Sequence, residues 1–543
     1  MSPEPFNYDY SRSPVFGRNG MVASSQPLAT AAGLEILRRG GNAADAAVAT
    51  AAALNVTEPT STGLGGDAFA LFFNAKTEKV TALNGSGRSP AALTIDRIRR
   101  EGLGDGLPAL HPYTITVPGA CAAWCDMVDR HGRLSMAEVL QPAIHLAEDG
   151  FPVAPITSWF WRNSADRLLS KTPNGYEMLI DGHGPAAGEI FRNPGLAHTM
   201  RVIADGGKEA FYQGEIAQAI SEVIKQAGGC MGLEDLAAHT STWVDPIGVN
   251  YRGITIWECP PNGQGLAALL ALNILEGYDL ASIKPISAER LHLQIEAMRL
   301  AFADTRYYAA DPVFAPAPLE GLLSREYSAQ RRSEILLQKA NPAIRHGAPQ
   351  TNSDTVYFCV VDGEGNACSF INSNYMGFGT GIVPKGWGFT LQNRGHNFSL
   401  DPDHPNRLEP GKRPYHTIIP AMATRADGTL YAPFGVMGGF MQPQGHMQVA
   451  CALLDDGQNP QAALNQPRFC IEPDEAGSVV SLEEGISPDT AATLAKWGHR
   501  VRMVKGVERA LFGRGQIIRR NPETGVLEGG SDPRADGCAM PLE

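Results

Sequence analysis

Hydrophobic and polar positions divide the chain into stretches of different character. Leu28, Ala31, Ala32 and Ile36 recur at near-helical spacing and predict a helix over 26–41, stopped by Gly40-Gly41. Asn42 to Leu54 reads as a second helix, so rich in alanine that it suits an interior position. Phe69 to Phe73 is an unbroken apolar run, as expected of a buried strand, and Lys79 to Leu83 predicts another. Helices are expected around 120–131 and over 135–149, and residues 155–245 read as largely helical. Val249 to Trp257 predicts one strand, followed by helices over 263–275 and 288–309. Both periodicities fade after Gln338, and Asn341 to Asp354 holds two prolines among polar or small residues. At Thr355 the pattern changes to a β-branched and aromatic run, Thr355 to Val361. The turn Asp362-Gly363-Glu364-Gly365-Asn366 and a second run, Ala367 to Ile371, complete a predicted hairpin. Beyond it the pattern is strand-rich: a glycine turn at 377–381, elements at 387–393, 418–425, 430–432 and 445–454, and a proline-rich loop over 400–414. The remaining elements are 479–482, a helix over 488–497, and short apolar pairs at 517–518 and 526–527.

Composition narrows the class. At 543 residues, 43% hydrophobic and 19% charged, the chain is globular, with several domains or one large α/β unit expected. The net charge of −12 and the lack of a dense basic run argue against nucleic acid as a partner. The longest apolar stretch, Ala46 to Leu54, is far too short to span a bilayer, and the first ten residues lack the basic start and apolar core of a secretory signal. A cytoplasmic protein without membrane contact is the expectation. Nine cysteines without paired spacing read as buried free thiols.

Several chemistries can be set aside. No H-E-x-x-H and no paired C-x-x-C sets are present, so no metal and no cofactor is expected. Asp532, Asp536 and Gly537 match a calcium loop only by chance, since Arg534 takes a ligand position. Gly63-Leu64-Gly65-Gly66 precedes a strand instead of following one, which rejects a dinucleotide fingerprint. No G-x-S-x-G elbow and no phosphate loop occur. What survives is Thr355. A long irregular segment ends immediately before it, and an exposed segment of that kind is where a chain can be cut. A cut between Asp354 and Thr355 would leave a hydroxyl nucleophile with its own α-amino group as base. Gly438-Gly439 offers backbone N–H groups for an oxyanion, although a tight turn explains that pair equally well.

The motifs, taken in order, reach a family. They are Gly40-Gly41-Asn42-Ala43-Ala44-Asp45-Ala46, Thr62-Gly63-Leu64-Gly65-Gly66-Asp67, Thr116-Val117-Pro118-Gly119, Asp354-Thr355, Gly377-Phe378-Gly379-Thr380-Gly381, Gly411-Lys412-Arg413-Pro414 and Met437-Gly438-Gly439. Together they span nearly the whole chain, which resembles the γ-glutamyltransferase (glutathione hydrolase) family. The resemblance implies an N-terminal-nucleophile hydrolase, α+β in class. A precursor would cut itself into a large chain, 1–354, and a small chain, 355–543, which jointly form an αββα sandwich. It implies Thr355 as nucleophile, Ser373 as its support, and Gly438 and Gly439 as the oxyanion hole. The substrate implied is a small γ-glutamyl amide such as glutathione, with water or an amine as acceptor and a homodimer as candidate assembly.

The implied substrate pocket departs from the family pattern. Arg88 is the candidate carboxylate arginine, but stands nearer to Pro90 than usual. His416 and Thr417 replace two serines, Tyr375 an asparagine, Arg394 a glutamine and Asn397 an aspartate, and the loop from Ser399 to Lys412 is shorter. Losing an acid and gaining an arginine disfavours an ammonium and favours a carboxylate. That points to an alternative acyl group with a carboxylate but no α-amine, such as glutaryl, or a small acid amide such as oxamate. Arg394 paired with Asp401 or Asp403 at the surface is the competing reading.

Overall fold

The computed structural model describes residues 12–104, 106–342, 344, 354–474 and 477–543. Two seven-stranded sheets stack face to face. One runs Cys538–Pro541, Gly20–Ser24, Asp354–Asp362, Ala367–Tyr375, Asp67–Asn74, Lys79–Gly85, Thr242–Val244. The other runs Val15–Gly17, Leu527–Ser531, Arg514–Arg520, Leu430–Met437, Ala421–Arg425, Ile254–Glu258, Ile247–Tyr251. All pairings within these two sheets are antiparallel. Each sheet therefore mixes strands from before and after residue 355.

Helices cover both outer faces. Ala43–Thr57 lies under the Asp354–Asp362 and Ala367–Tyr375 hairpin, flanked by Pro27–Arg38 and Met136–Asp149. Its start is set by Asn42, whose side chain accepts from the Ala44 and Asp45 N–H groups while Asp45 returns the bond to the Asn42 N–H. All its side chains are buried, and their small size lets it sit close to the sheet. On the other face lie Gly265–Leu275 and Met441–Leu454. The order helix, sheet, sheet, helix is the αββα sandwich. Between the sheets Gly435 meets the ring of Tyr357, which occupies the space a β-carbon there would need. No helix among the described residues is long and apolar enough to cross a membrane. All nine cysteines are free, seven of them buried.

Most predicted elements are found, with some differences. Val249 to Trp257 is not one strand but a hairpin, Ile247–Tyr251 with Ile254–Glu258. Arg252 and Gly253 turn it with φ of +54° and +83°, the two-residue left-handed turn that suits the twist of paired strands. Residues 166–193 hold turns and short 3-10 segments instead of regular helix. Trp387 to Asn393 is buried without regular structure. The segment expected to lead to the cut, 341–354, falls mostly outside the described residues.

Candidate active site

Thr355 stands at the start of the central strand Asp354–Asp362 and is fully buried. The ladder to the next strand slips there. Asp354 faces Tyr375 while Val356 faces Asn372, so the partner strand carries one extra residue. Tyr375, at that slip, has φ of +77°. A non-glycine residue in that region costs on the order of 1–3 kcal/mol and persists only where its surroundings hold it. The irregularity thus lies beside the bond expected to be cut.

The side chains around Thr355 form one hydrogen-bonded group. Thr355 Oγ1 is 3.1 Å from Ser373 Oγ. Ser373 Oγ accepts from the Tyr375 N–H at 2.9 Å and from Arg394 Nη2 at 3.2 Å. Two donors thus converge on the hydroxyl oxygen that faces Thr355 Oγ1. Arg394 Nη1 donates to Thr417 Oγ1 at 2.6 Å. Gln264 continues the chain, its Nε2 donating to the Thr417 carbonyl at 2.6 Å and the Gly439 carbonyl at 2.8 Å. The candidate nucleophile and the candidate oxyanion loop are thereby tied together.

Arg394 is the electrostatic centre of the group. It is fully buried, with its guanidinium 4.5 Å from the Tyr375 ring centroid. Burial pushes its pKa down to about 10, against the pull of Asp67, so it remains a cation at neutral pH. Among the described residues no carboxylate forms an ion pair with it, and its Nε has no hydrogen-bond partner. The surface reading fails: Asp401 and Asp403 are exposed, and Asp401 accepts from the Asp403 N–H of its own loop. Tyr375 is buried as well, and burial pushes its hydroxyl up to about 12. Asn397 is half-buried, bonding the Tyr375 hydroxyl and the Tyr415 carbonyl.

His416 and Thr417 are present, but turned inward. Thr417 is occupied by Arg394. His416 Nε2 lies 2.9 Å from Asp67 Oδ2, and its Nδ1 accepts from the Ile418 N–H. Burial, reinforced by the positive charge of Arg394, pushes His416 down to about 3. The contact is therefore a neutral imidazole donating to a carboxylate and not a salt bridge. Burial alone would raise Asp67, but the His416 hydrogen bond and the charge of Arg394 outweigh it and hold Asp67 below the usual range. Arg88 takes no part in this group. Its described hydrogen bond runs to the Thr240 carbonyl at 3.3 Å, where Arg413 also donates.

Gly438 and Gly439 have φ of +130° and +59°, beyond the end of strand Leu430–Met437 and just before helix Met441–Leu454. Their carbonyls accept from the Met441 and Gln442 N–H groups, while neither glycine N–H donates a described hydrogen bond. Two unspent N–H groups beside a helix N-terminus are suited to a developing oxyanion.

Asp67, Gln264 and Gln392 belong to this site but were not singled out from the sequence. Asp67 was visible only as the end of a glycine motif. Its partners Gly87, Gly119, Gln392 and His416 lie in four separate segments, so no local spacing marks it.

The family model described as Gamma-glutamyltranspeptidase matches residues 29–542. The glutathione hydrolase-like YwrD proenzyme of Bacillus subtilis is 39% identical over 97% of this chain and 99% of its own. The oxamate amidohydrolase proenzyme of Klebsiella pneumoniae is 33% identical over 96% and 98%. The crystal structure of cephalosporin acylase from Bacillus halodurans superposes with a TM-score of 0.91 at 46% identity, covering 100% of this chain and 99% of that one. Fold, ordered motifs and these similarities agree, and the chain belongs to the gamma-glutamyltranspeptidase family of N-terminal-nucleophile hydrolases.

Proposed function

We propose that the chain is a self-processing amidohydrolase whose nucleophile is Thr355 and whose acyl donor is the amide of a short acid bearing a second carboxylate and no α-amine. In the precursor the Thr355 nitrogen is a peptide amide and cannot act as a base. The Thr355 hydroxyl adds to the Asp354 carbonyl, the C–N bond breaks, and an ester forms while the nitrogen becomes an amine. Water then hydrolyses the ester to the Asp354 carboxylate and the free Thr355 hydroxyl. In turnover that amine takes the hydroxyl proton as Oγ1 attacks the substrate amide, and passes a proton to the leaving amine. The Gly438 and Gly439 N–H groups receive the oxyanion. The acyl ester of Thr355 is then resolved by water or by an acceptor amine.

Arg394 carries the choice of acyl group. It is a buried cation without an ion-pair partner among the described residues, joined to Thr355 through Ser373. Hydrogen bonds of 3.1 and 3.2 Å place its Nη2 within roughly 6 Å of Thr355 Oγ1. A carboxylate a few carbons from the reacting carbonyl matches that separation. An ammonium there would have to compete for Asp67, which already accepts four hydrogen bonds. The relatives named for oxamate and for cephalosporin acylation support this reading, while the glutathione hydrolase-like relative supports the γ-glutamyl alternative. Glutaryl and γ-glutamyl p-nitroanilides differ only by the α-amine and decide between them. The reading requires the larger kcat/KM for the glutaryl compound, and a clear γ-glutamyl preference overturns it. On a denaturing gel the protein is expected as two bands and Thr355→Ala as one. A cleaved Thr355→Ala chain would remove Thr355 from the mechanism.

A further inference from the structure

Asp67 stands directly opposite Ser373 in the sheet. Residues so paired point to the same face, with β-carbons about 5 Å apart. The Asp67 carboxylate is thus a neighbour of the Thr355–Ser373–Arg394 group, yet it serves none of the steps above. Oδ1 accepts from the Gly87 N–H at 3.0 Å, the Gly119 N–H at 3.1 Å and Gln392 Nε2 at 2.9 Å, and Oδ2 from His416 Nε2 at 2.9 Å. Two backbone N–H groups, an amide and an imidazole, converging from separate loops beside a guanidinium, are what a protein builds to receive a carboxylate. Here the occupant belongs to the chain itself. It is fully buried and accepts four hydrogen bonds, three at Oδ1 and one at Oδ2.

We propose that Asp67 is a built-in carboxylate plugging an anion seat beside the acyl pocket, so that Arg394 is left as the single receiver of the substrate's carboxylate and the pocket is kept short. This rests on the reading of Arg394 as that receiver. Without the Asp67 side chain, the Gly87 N–H, Gln392 and His416 would face an empty cavity suited to a second carboxylate, with the Gly119 N–H shared with the Gly66 carbonyl at its wall. Longer diacid acyl groups could then reach it. His416, expected from the sequence to touch the substrate, touches the plug instead, and would become a substrate contact only in that variant.

The experiment compares the mature enzyme with Asp67→Gly and Asp67→Asn on succinyl, glutaryl and adipyl p-nitroanilides, with butyryl p-nitroanilide as uncharged control. Asp67→Asn keeps the seat filled without the charge, so KM should fall for all three anionic compounds with their order unchanged. Asp67→Gly vacates the seat, and kcat/KM for adipyl relative to succinyl should rise roughly tenfold or more. Formate should return the ratio toward that of the unmodified enzyme by refilling the seat. Formate should also raise the melting temperature of Asp67→Gly, and of Asp67→Ser should the glycine variant fold poorly, relative to equal chloride. An unchanged length order in Asp67→Gly, or no response to formate in either vacated variant, overturns the proposal. If the unmodified enzyme cleaves the butyryl compound as well as the glutaryl one, Arg394 is not the receiver, whatever Asp67 does.

Discussion

Replacing Arg394 by methionine should separate activity from stability. The side chain is fully buried, and a pKa of about 10 against 12.5 means that holding its charge there costs about 3 kcal/mol. Against this stand its hydrogen bonds to Ser373 and Thr417 and its contact with the Tyr375 ring, together of the same order. Methionine fills much of the same volume without a charge, and replacing a buried ion by an apolar side chain is often neutral or stabilising. The melting temperature of Arg394→Met should therefore stay level or rise. Catalysis should suffer, since hydrogen bonds from a cation to a carboxylate contribute about 1.5–3 kcal/mol each. Losing about 3 kcal/mol lowers kcat/KM for glutaryl p-nitroanilide by roughly two orders of magnitude. The butyryl compound has no carboxylate to lose, and should fall by less than about tenfold through the altered support of Ser373. Calorimetry and initial rates on both compounds test this. Equal losses on the two compounds, or a melting point many degrees lower, would falsify the assignment of Arg394 as a carboxylate receiver and make it a structural cation.

Two further expectations concern the oxyanion loop and acid stability. Gly438→Ala puts a β-carbon 3.2 Å from the Gly513 Cα at φ of +130°, so the loop must shift; kcat should drop roughly a hundredfold with KM little changed, and an unaltered kcat removes the glycine N–H groups from the mechanism. Burial pushes His239, His416 and His499 down to about 3 and His131 to about 4. Unfolding lets them take up protons near pH 6.5, so each costs about 1.4 kcal/mol of stability per pH unit as the pH falls below that value. Glu58 has the opposite sign. Burial lifts it to about 7, so the folded state holds a proton there that the unfolded state releases down to about pH 4.5. The melting temperature should fall from pH 7 to pH 5, more steeply in Glu58→Gln, and a flat or rising profile contradicts the burial of these histidines as neutral groups.

The layered fold was legible because its periodicities are strong and local. The alanine-rich helix, the strand Asp67–Asn74 and the Thr355 hairpin each announce themselves within about ten residues. The turn at Arg252-Gly253 was hidden because β-branched and aromatic residues continue on both sides of it. Thr355, Gly438 and Gly439 could be proposed because they sit in ordered motifs, and Ser373 through the resemblance those motifs carry. What could not be read was how polar groups would be shared. His416 and Thr417 were expected to face a substrate, but hydrogen bonds to Asp67 and Arg394, across long stretches of chain, turn them inward. Arg88 is the candidate arginine despite its unusual spacing from Pro90, and only the folded geometry shows its guanidinium at the Thr240 carbonyl. Spacing reports which residues are neighbours in a strand; it does not report which of two distant partners takes a proton.

The interleaving of strands from either side of Thr355 bears on how the gene could be rewired. Cys538–Pro541 pairs with Gly20–Ser24, Leu542 N–H reaches the Gly20 carbonyl, and Arg12 donates to the carbonyls of Gly537 and Ala535. The two ends of the described chain thus meet on one sheet edge. A short linker there, with the chain reopened between 354 and 355, gives a circular permutant that keeps the strand order and parts only Asp354 from the start of its strand. After removal of its initiator methionine, that permutant would be born with Thr355 as its first residue. On the proposed mechanism it would need no scission to become active, so the chemistry of maturation could be studied apart from the chemistry of turnover.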